Sequence, residues 1–210
     1  IYKVTASGNV IDSGTQEITG VTTIAAGSGN DITLNTSTNN FAAAVKIISG
    51  NNIEIIDEDT IDLGDSTVSG AYEITAGGAV TDSGTLEISG ITTIEAGSSN
   101  NITLNSSTNN FAAAVKITSG NDVAITDEDT IDLGNSTVSG TYAITASAGN
   151  ITDSGILAIT SNSTFTTNGN GADIKLDAIN RFTGTVTVDT TGAGGAAVFV
   201  VAAGTAEPVA

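Results

Sequence analysis

The stretch SGNDITLNTSTNNFAAAVKIISGNNIEI, residues 28–55, contains one full period of this chain. Ser28-Gly29-Asn30 opens it, and the triplet returns as Ser49-Gly50-Asn51. Ser7-Gly8-Asn9 precedes Ser28-Gly29-Asn30 by the same interval. Between the triplets, Ile32-Thr33-Leu34, Val45-Lys46-Ile47 and Ile53-Glu54-Ile55 alternate apolar with polar residues. Period-two alternation rich in β-branched residues marks half-buried strands. A turn residue that returns at fixed spacing through such strands marks a solenoid. The expected fold is all-β: a parallel β-helix with about 21 residues per rung, each rung a triangle of three short strands and three corners.

The series resumes at Asn100 and Asn121 and fades through Asn150 and Asn170, with Ala79 in place of one member. Asn tolerates turn conformations and bonds nearby backbone. Stacked amides can also bond one another from rung to rung. Asn9, Asn30 and Asn51 are therefore expected at one corner, with Asn100 and Asn121 continuing the line. Hairpins of an antiparallel sandwich are the alternative, but their signature is Asn followed by Gly. Here the order is Gly followed by Asn.

A longer repeat overlies the short one. Residues 1–70 and 71–140 align without a gap and agree at 51 of 70 positions. Tyr2, Tyr72 and Tyr142 are the only tyrosines. A third copy, 141–210, drifts: DIKLDAINRFTGTVTV at 173–188 matches DITLNTSTNNFAAAVKI at 31–47 with one residue of slippage. The whole chain reads as a single solenoid of about ten rungs, roughly 45–50 Å long. Dividing 70 into rungs of 21, 21 and 28 leaves seven extra residues in every third rung. These are expected as two equivalent protrusions near 57–70 and 127–140. FAAAVKI reads as strand, because its third-copy counterpart is FTGTVTV. The start at Ile1, mid-strand and in register, reads as a piece of a longer array.

Composition narrows the function. Charged residues make up only 13% and β-branched residues abound, which is not the signature of disorder. Five basic residues against 23 acidic give a net charge of −18. No phosphate-binding surface can be built from so few cations, which excludes nucleic acid as a partner. Attraction to an anionic membrane fails on the same ground, and no apolar run spans a bilayer. Cysteine and histidine are absent, so disulfides and most nucleophile–base pairs are excluded. No enzymatic activity is expected.

Two sets of acidic residues stand out. Asp57, Glu58, Asp59 and Asp62 recur as Asp127, Glu128, Asp129 and Asp132. Crowded carboxylates supply the oxygen ligands that Ca²⁺ takes, so these eight are the candidate metal ligands. They are expected on one face, three rungs apart. A solvated acidic loop is the competing reading, and no other cofactor is indicated. Asp12, Asp82 and Asp153 recur in the motif DSG. A glycosidase needs one pair of carboxyls at a set separation, whereas these recur once per repeat, as structural residues do. Thr-Thr pairs at 22–23, 92–93 and 166–167 raise an ice-binding face, but a pair once per three rungs reads as ordinary strand threonine.

The runs GNVIDSG (8–14), GNDITLN (29–35) and STVSGAYEITAGG (66–78) resemble the repeats of large bacterial exoproteins of the filamentous haemagglutinin type and of autotransporter passengers. The resemblance implies a right-handed parallel β-helix, secreted or displayed at the cell surface, that acts as an adhesin or stalk toward a host or cell-surface ligand. A subunit of an extracellular fibre, self-associating end to end, is the alternative. It draws on AAVFVVAAG at 196–204, an apolar run outside the repeat. Such a strand needs cover on both faces, from a fold-back cap or from the next molecule.

Overall fold

The computed structural model describes residues 1–201, with side chains through Val198. It is a parallel β-solenoid of about nine turns, ~21 residues apart, with no helix among the described residues. The sequence step between Cα partners in adjacent turns varies: it is short at Val45↔Leu63, intermediate at Ile32↔Ile53 and long at Ala25↔Ser49. Every strand pair among the described residues is parallel, so no hairpin occurs there. At the usual strand spacing, nine turns make a rod of roughly 40–45 Å.

Three walls alternate along the chain. The first turn lays down Tyr2–Thr5 on the first wall, Val10–Ile11 on the second and Glu17–Ile18 on the third. Thr22–Ala25 then returns to the first wall and pairs with Tyr2–Thr5. Inward side chains stack in continuous columns. One column runs Ile32, Ile53, Tyr72, Thr92, Val115. Another runs Leu104, Ile125, Ile144, Phe165, Val188. Each inward Ile, Val or Leu contributes about 1.5–3 kcal/mol through burial. A parallel sheet needs cover on both faces; here the opposite walls cover the inner face, and polar residues hold the outer one. Near the third repeat the core becomes aromatic, with Tyr142, Phe165 and Phe182 edge to face at centroid distances of 6.0 Å.

The 21, 21, 28 division is overturned. Thr22–Ala25 is the fourth strand and Thr92–Glu95, its equivalent in the next repeat, the fourteenth. Ten strands on three walls make three and a third turns. Equivalent strands of successive repeats therefore fall on successive walls. Tyr2 pairs with Thr22 on the first wall, Tyr72 with Thr92 on the second, and Tyr142 with Ser163 on the third.

The residues taken as excess are this additional third of a turn. Residues 57–70 lie flush in the coil as the strands Ile61–Leu63 and Ser66–Val68, and 127–140 as Ile131–Leu133 and Ser136–Val138. No protrusion exists at either place. The step is visible in the ladders. Val45 pairs with Leu63 while Gly50 pairs with Val68, so two strands of the next turn cover the single strand Val45–Ser49. One ten-stranded sheet consequently passes around a corner at Val45↔Leu63 and continues to Val186–Thr190.

Two smaller expectations also change. FAAAVKI is not one strand: Asn40–Phe41 ends a strand, the alanines turn a corner, and Val45–Ser49 starts the next. The apolar run at 196–204, expected either as a fold-back cap or as a strand inserted into the next molecule, does not fold back within its described part. Ala197–Val201 adds a further parallel strand on Ile174–Phe182, while 202–204 lie outside the described residues.

Candidate functional site

The corner asparagines build ladders, but three of them instead of one. At the corner entering the second wall, Asn9 Oδ1 accepts from the Asp31 N–H, Asp31 Oδ1 from the Asn52 N–H, and Asn52 Oδ1 from the Ala71 N–H, each at 3.0 Å. The residue above Asn9 is thus Asp31, one place beyond Asn30. Asn30 and Asn51 stack beside this line through the bond from Asn51 N–H to Asn30 O, 2.7 Å. Asn100 and Asn121 do not continue it. They sit at the corner entering the third wall, where Asn101 Oδ1 accepts from Asp122 N–H and Asp122 Oδ1 from Thr141 N–H. At the third corner, Asn150 Oδ1 accepts from Asp173 N–H and Asp173 Oδ1 from Ala196 N–H. The third-of-a-turn step moves the motif to a new corner with each repeat.

The DSG aspartates are clamps between turns. Asp12 Oδ2 accepts from the Asn39 amide at 2.8 Å and from the Thr36 N–H at 3.1 Å. Asn39 Oδ1 in turn accepts from the Gln16 N–H. Burial pushes the Asp12 carboxyl upward, yet the Asn39 and Thr36 bonds outweigh it and hold it below its ordinary value. The same clamp joins Asp82 to Asn109 at 2.6 Å, and Asp153 to Asn180 at 2.6 Å. Asn39, Asn109 and Asn180 are fully buried, and sequence reasoning missed them, because Asn reads as a turn residue. The available signal was the Asn before Asn-Phe or Arg-Phe, repeated at 39, 109 and 180. Asn109→Ala would leave the Asp82 carboxylate without its amide and the buried Leu86 N–H without its acceptor. A loss of about 2–4 kcal/mol is expected, readable as a lower denaturant midpoint at unchanged slope.

The eight acidic candidates separate into two groups on different walls. They do not share a face, because Asp57 ends a second-wall strand and Asp127 a third-wall strand. Asp57 and Asp127 are buried. Asp127 Oδ2 accepts from the Phe111 N–H and Oδ1 from the Asp129 N–H, both at 2.8 Å; Asp57 does the same for Phe41 and Asp59. Burial pushes both carboxyls up, Asp127 to about 6, against the pull of those N–H bonds. Glu58 and Asp59 each accept from Asn40, and Glu128 from Asn110. Asp62 accepts from Ser83 and Asp132 from Ser154, both at 2.7 Å. Among the described residues no group of three acidic side chains is gathered that could hold a metal ion.

The outer faces differ in charge. Lys3, Lys46, Asp65, Glu87, Asp132 and Lys175 stand on the first wall, with Lys46 and Asp65 paired at 2.9 Å. Glu54, Glu73, Glu95, Lys116 and Arg181 stand on the second. The third wall carries Glu17 and Asp62 in its first three turns, then no outward charge from Val80 until Asp189.

A family model described as Repeats of unknown function (DUF5649) matches residues 2–48, 50–118 and 120–189. Its second and third matches start at 50 and 120, one internal repeat apart. No curated protein and no solved structure matches the chain.

Proposed function

The chain belongs to the family described as Repeats of unknown function (DUF5649), and on that premise we propose that it is a non-catalytic shaft segment of a bacterial surface adhesin or stalk. The observation that carries this reading is the fate of its polar groups. The DSG aspartates, the corner asparagines and the two buried carboxylates are all spent on joining one turn to the next. The same clamp occurs three times, once per repeat, which supports a structural role over a singular catalytic one. Each repeat also shows its outer surface in a new direction, so a long array displays every side. The test uses cells that produce the protein. Antibody raised against residues 1–201 should label intact cells, and external protease should remove the signal. A segment reached only after lysis overturns the surface reading.

The fibre alternative draws on strand addition, the pairing by which Ala197–Val201 joins Ile174–Phe182 in parallel while Val198 stays half exposed. Electron microscopy of native material separates the two: filaments built of this chain alone favour the fibre, and shafts within a larger protein favour the stalk.

A further inference from the structure

The third wall is unusual for a chain of net charge −18. One outward column runs Thr81, Thr103, Ala124, Ala143, Thr164, Thr187 through six successive turns. Beside it run Thr126, Thr145, Thr166 and Asp189. Apart from Asp189, neither column holds a charge. The side chains are small, so the face is flat, and they repeat at the rise of a β-ladder, about 4.8 Å.

We propose that this Thr/Ala face of the third wall is a lateral contact surface for a second copy of the same chain. Charge argues for that face. Contact across the first or second walls would strip water from charges of both signs, among them Lys46, Asp65 and Glu87 on the first and Glu54, Glu73 and Lys116 on the second, a cost that only well-placed partners repay. Across the third wall from Thr81 to Thr166 no outward charge is desolvated, and Asp189 stands at the end of the ladder. Period argues for that occupant. A partner with a different repeat falls out of register within a few turns, whereas an identical ladder stays matched through all six. Such a contact is self-complementary and closes about a twofold axis.

Size sets the strength. Six strands of three to five residues cover roughly 29 by 14 Å, hence about 800 Å² buried in total. That lies below the standard interface and implies weak, reversible pairing, made firm only where several segments are arrayed side by side. The proposal concerns the purified chain and does not depend on where the protein resides.

The test is sedimentation velocity with small-angle scattering on the full chain, from roughly 10 µM to 1 mM, the range expected for such an area. Pairing should appear at the upper concentrations and strengthen as salt screens the net charge. The scattering cross-section should grow while the length stays constant. Ala143→Glu with Thr164→Glu, both at exposed positions, should weaken pairing at least tenfold. Thr67→Glu with Thr137→Glu, exposed on the first and second walls, adds the same charge and should change it less than twofold. The proposal is overturned by a chain that stays monomeric at every salt, by equal effects of the two variants, or by growth in length instead of cross-section. A monomer that shapes ice crystals would also overturn it and assign the face to ordered water.

Discussion

Gly84→Ala is expected to cost at least about 3 kcal/mol, while Gly14→Ala in the same DSG motif leaves stability unchanged or slightly raised. A Cβ at Gly84 would lie 2.1 Å from the Asp65 nitrogen and 2.6 Å from the Gly64 carbonyl carbon. Both are backbone atoms of the adjacent turn, so relief requires prising two turns apart along the ladder. A Cβ at Gly14 meets nothing within 4 Å. Alanine there only restricts the unfolded chain, a gain of about 0.4–1 kcal/mol. A Cβ at Gly155, in the third DSG, would stand 2.1 Å from the Asn135 nitrogen, so this glycine should behave as Gly84 does. Thermal unfolding of the three single variants checks this. Equal melting temperatures for Gly14→Ala and Gly84→Ala would sink the argument that turn-to-turn contact fixes these glycines.

The second large effect depends on pH. Asp127→Ala removes the acceptor of the buried Phe111 N–H and of the Asp129 N–H, and should cost about 2–4 kcal/mol at pH 5. Burial raises the Asp127 carboxyl to about 6, and the charges of Asp129 and Glu128 add to the rise. Because the folded value lies above the unfolded one, the contribution is fully present below the ordinary value. It is lost as pH rises through about 6. The native chain should therefore melt higher at pH 5 than at pH 7.5, and the gap between it and Asp127→Ala should narrow at the higher pH.

Below pH 4 the trend reverses. Asp31 is held low by the Asn52 N–H and the Asn51 amide, Asp65 by the Lys46 ammonium, and Asp122 by the Thr141 N–H. Their contributions are present above the ordinary carboxylate value and vanish as pH falls through their lowered values. A melting temperature that climbs steadily from pH 5 to pH 8 would contradict the assignment of Asp127.

The rung was legible in the sequence because its causes are local. Ile32-Thr33-Leu34 alternates for a strand half exposed, and Gly-Asn marks a corner whatever lies beyond it. Parallel pairing followed from the regular return of that corner. The DSG aspartates were recognised as structural, since they recur once per repeat, although their buried partners Asn39, Asn109 and Asn180 were not named. What sequence could not set was the angle between repeats. The long repeat is compatible with three turns or with three and a third, and the choice rests on how tightly the chain rounds each corner. Val45 reaches its partner Leu63 by a shorter path than Thr22 needs to reach Val45. These perimeters come from packing: at the corner between the second and third walls, buried Asp57 draws in the Phe41 and Asp59 N–H groups, and Asn39 fills the same corner one turn below. The tertiary structure therefore decided what depends on the angle, placing the two acidic groups on different walls, the asparagines in three ladders, and the uncharged threonines of successive turns in one plane. Such features arise from side chains a full turn apart in sequence meeting across the ladder, and no local pattern encodes that meeting.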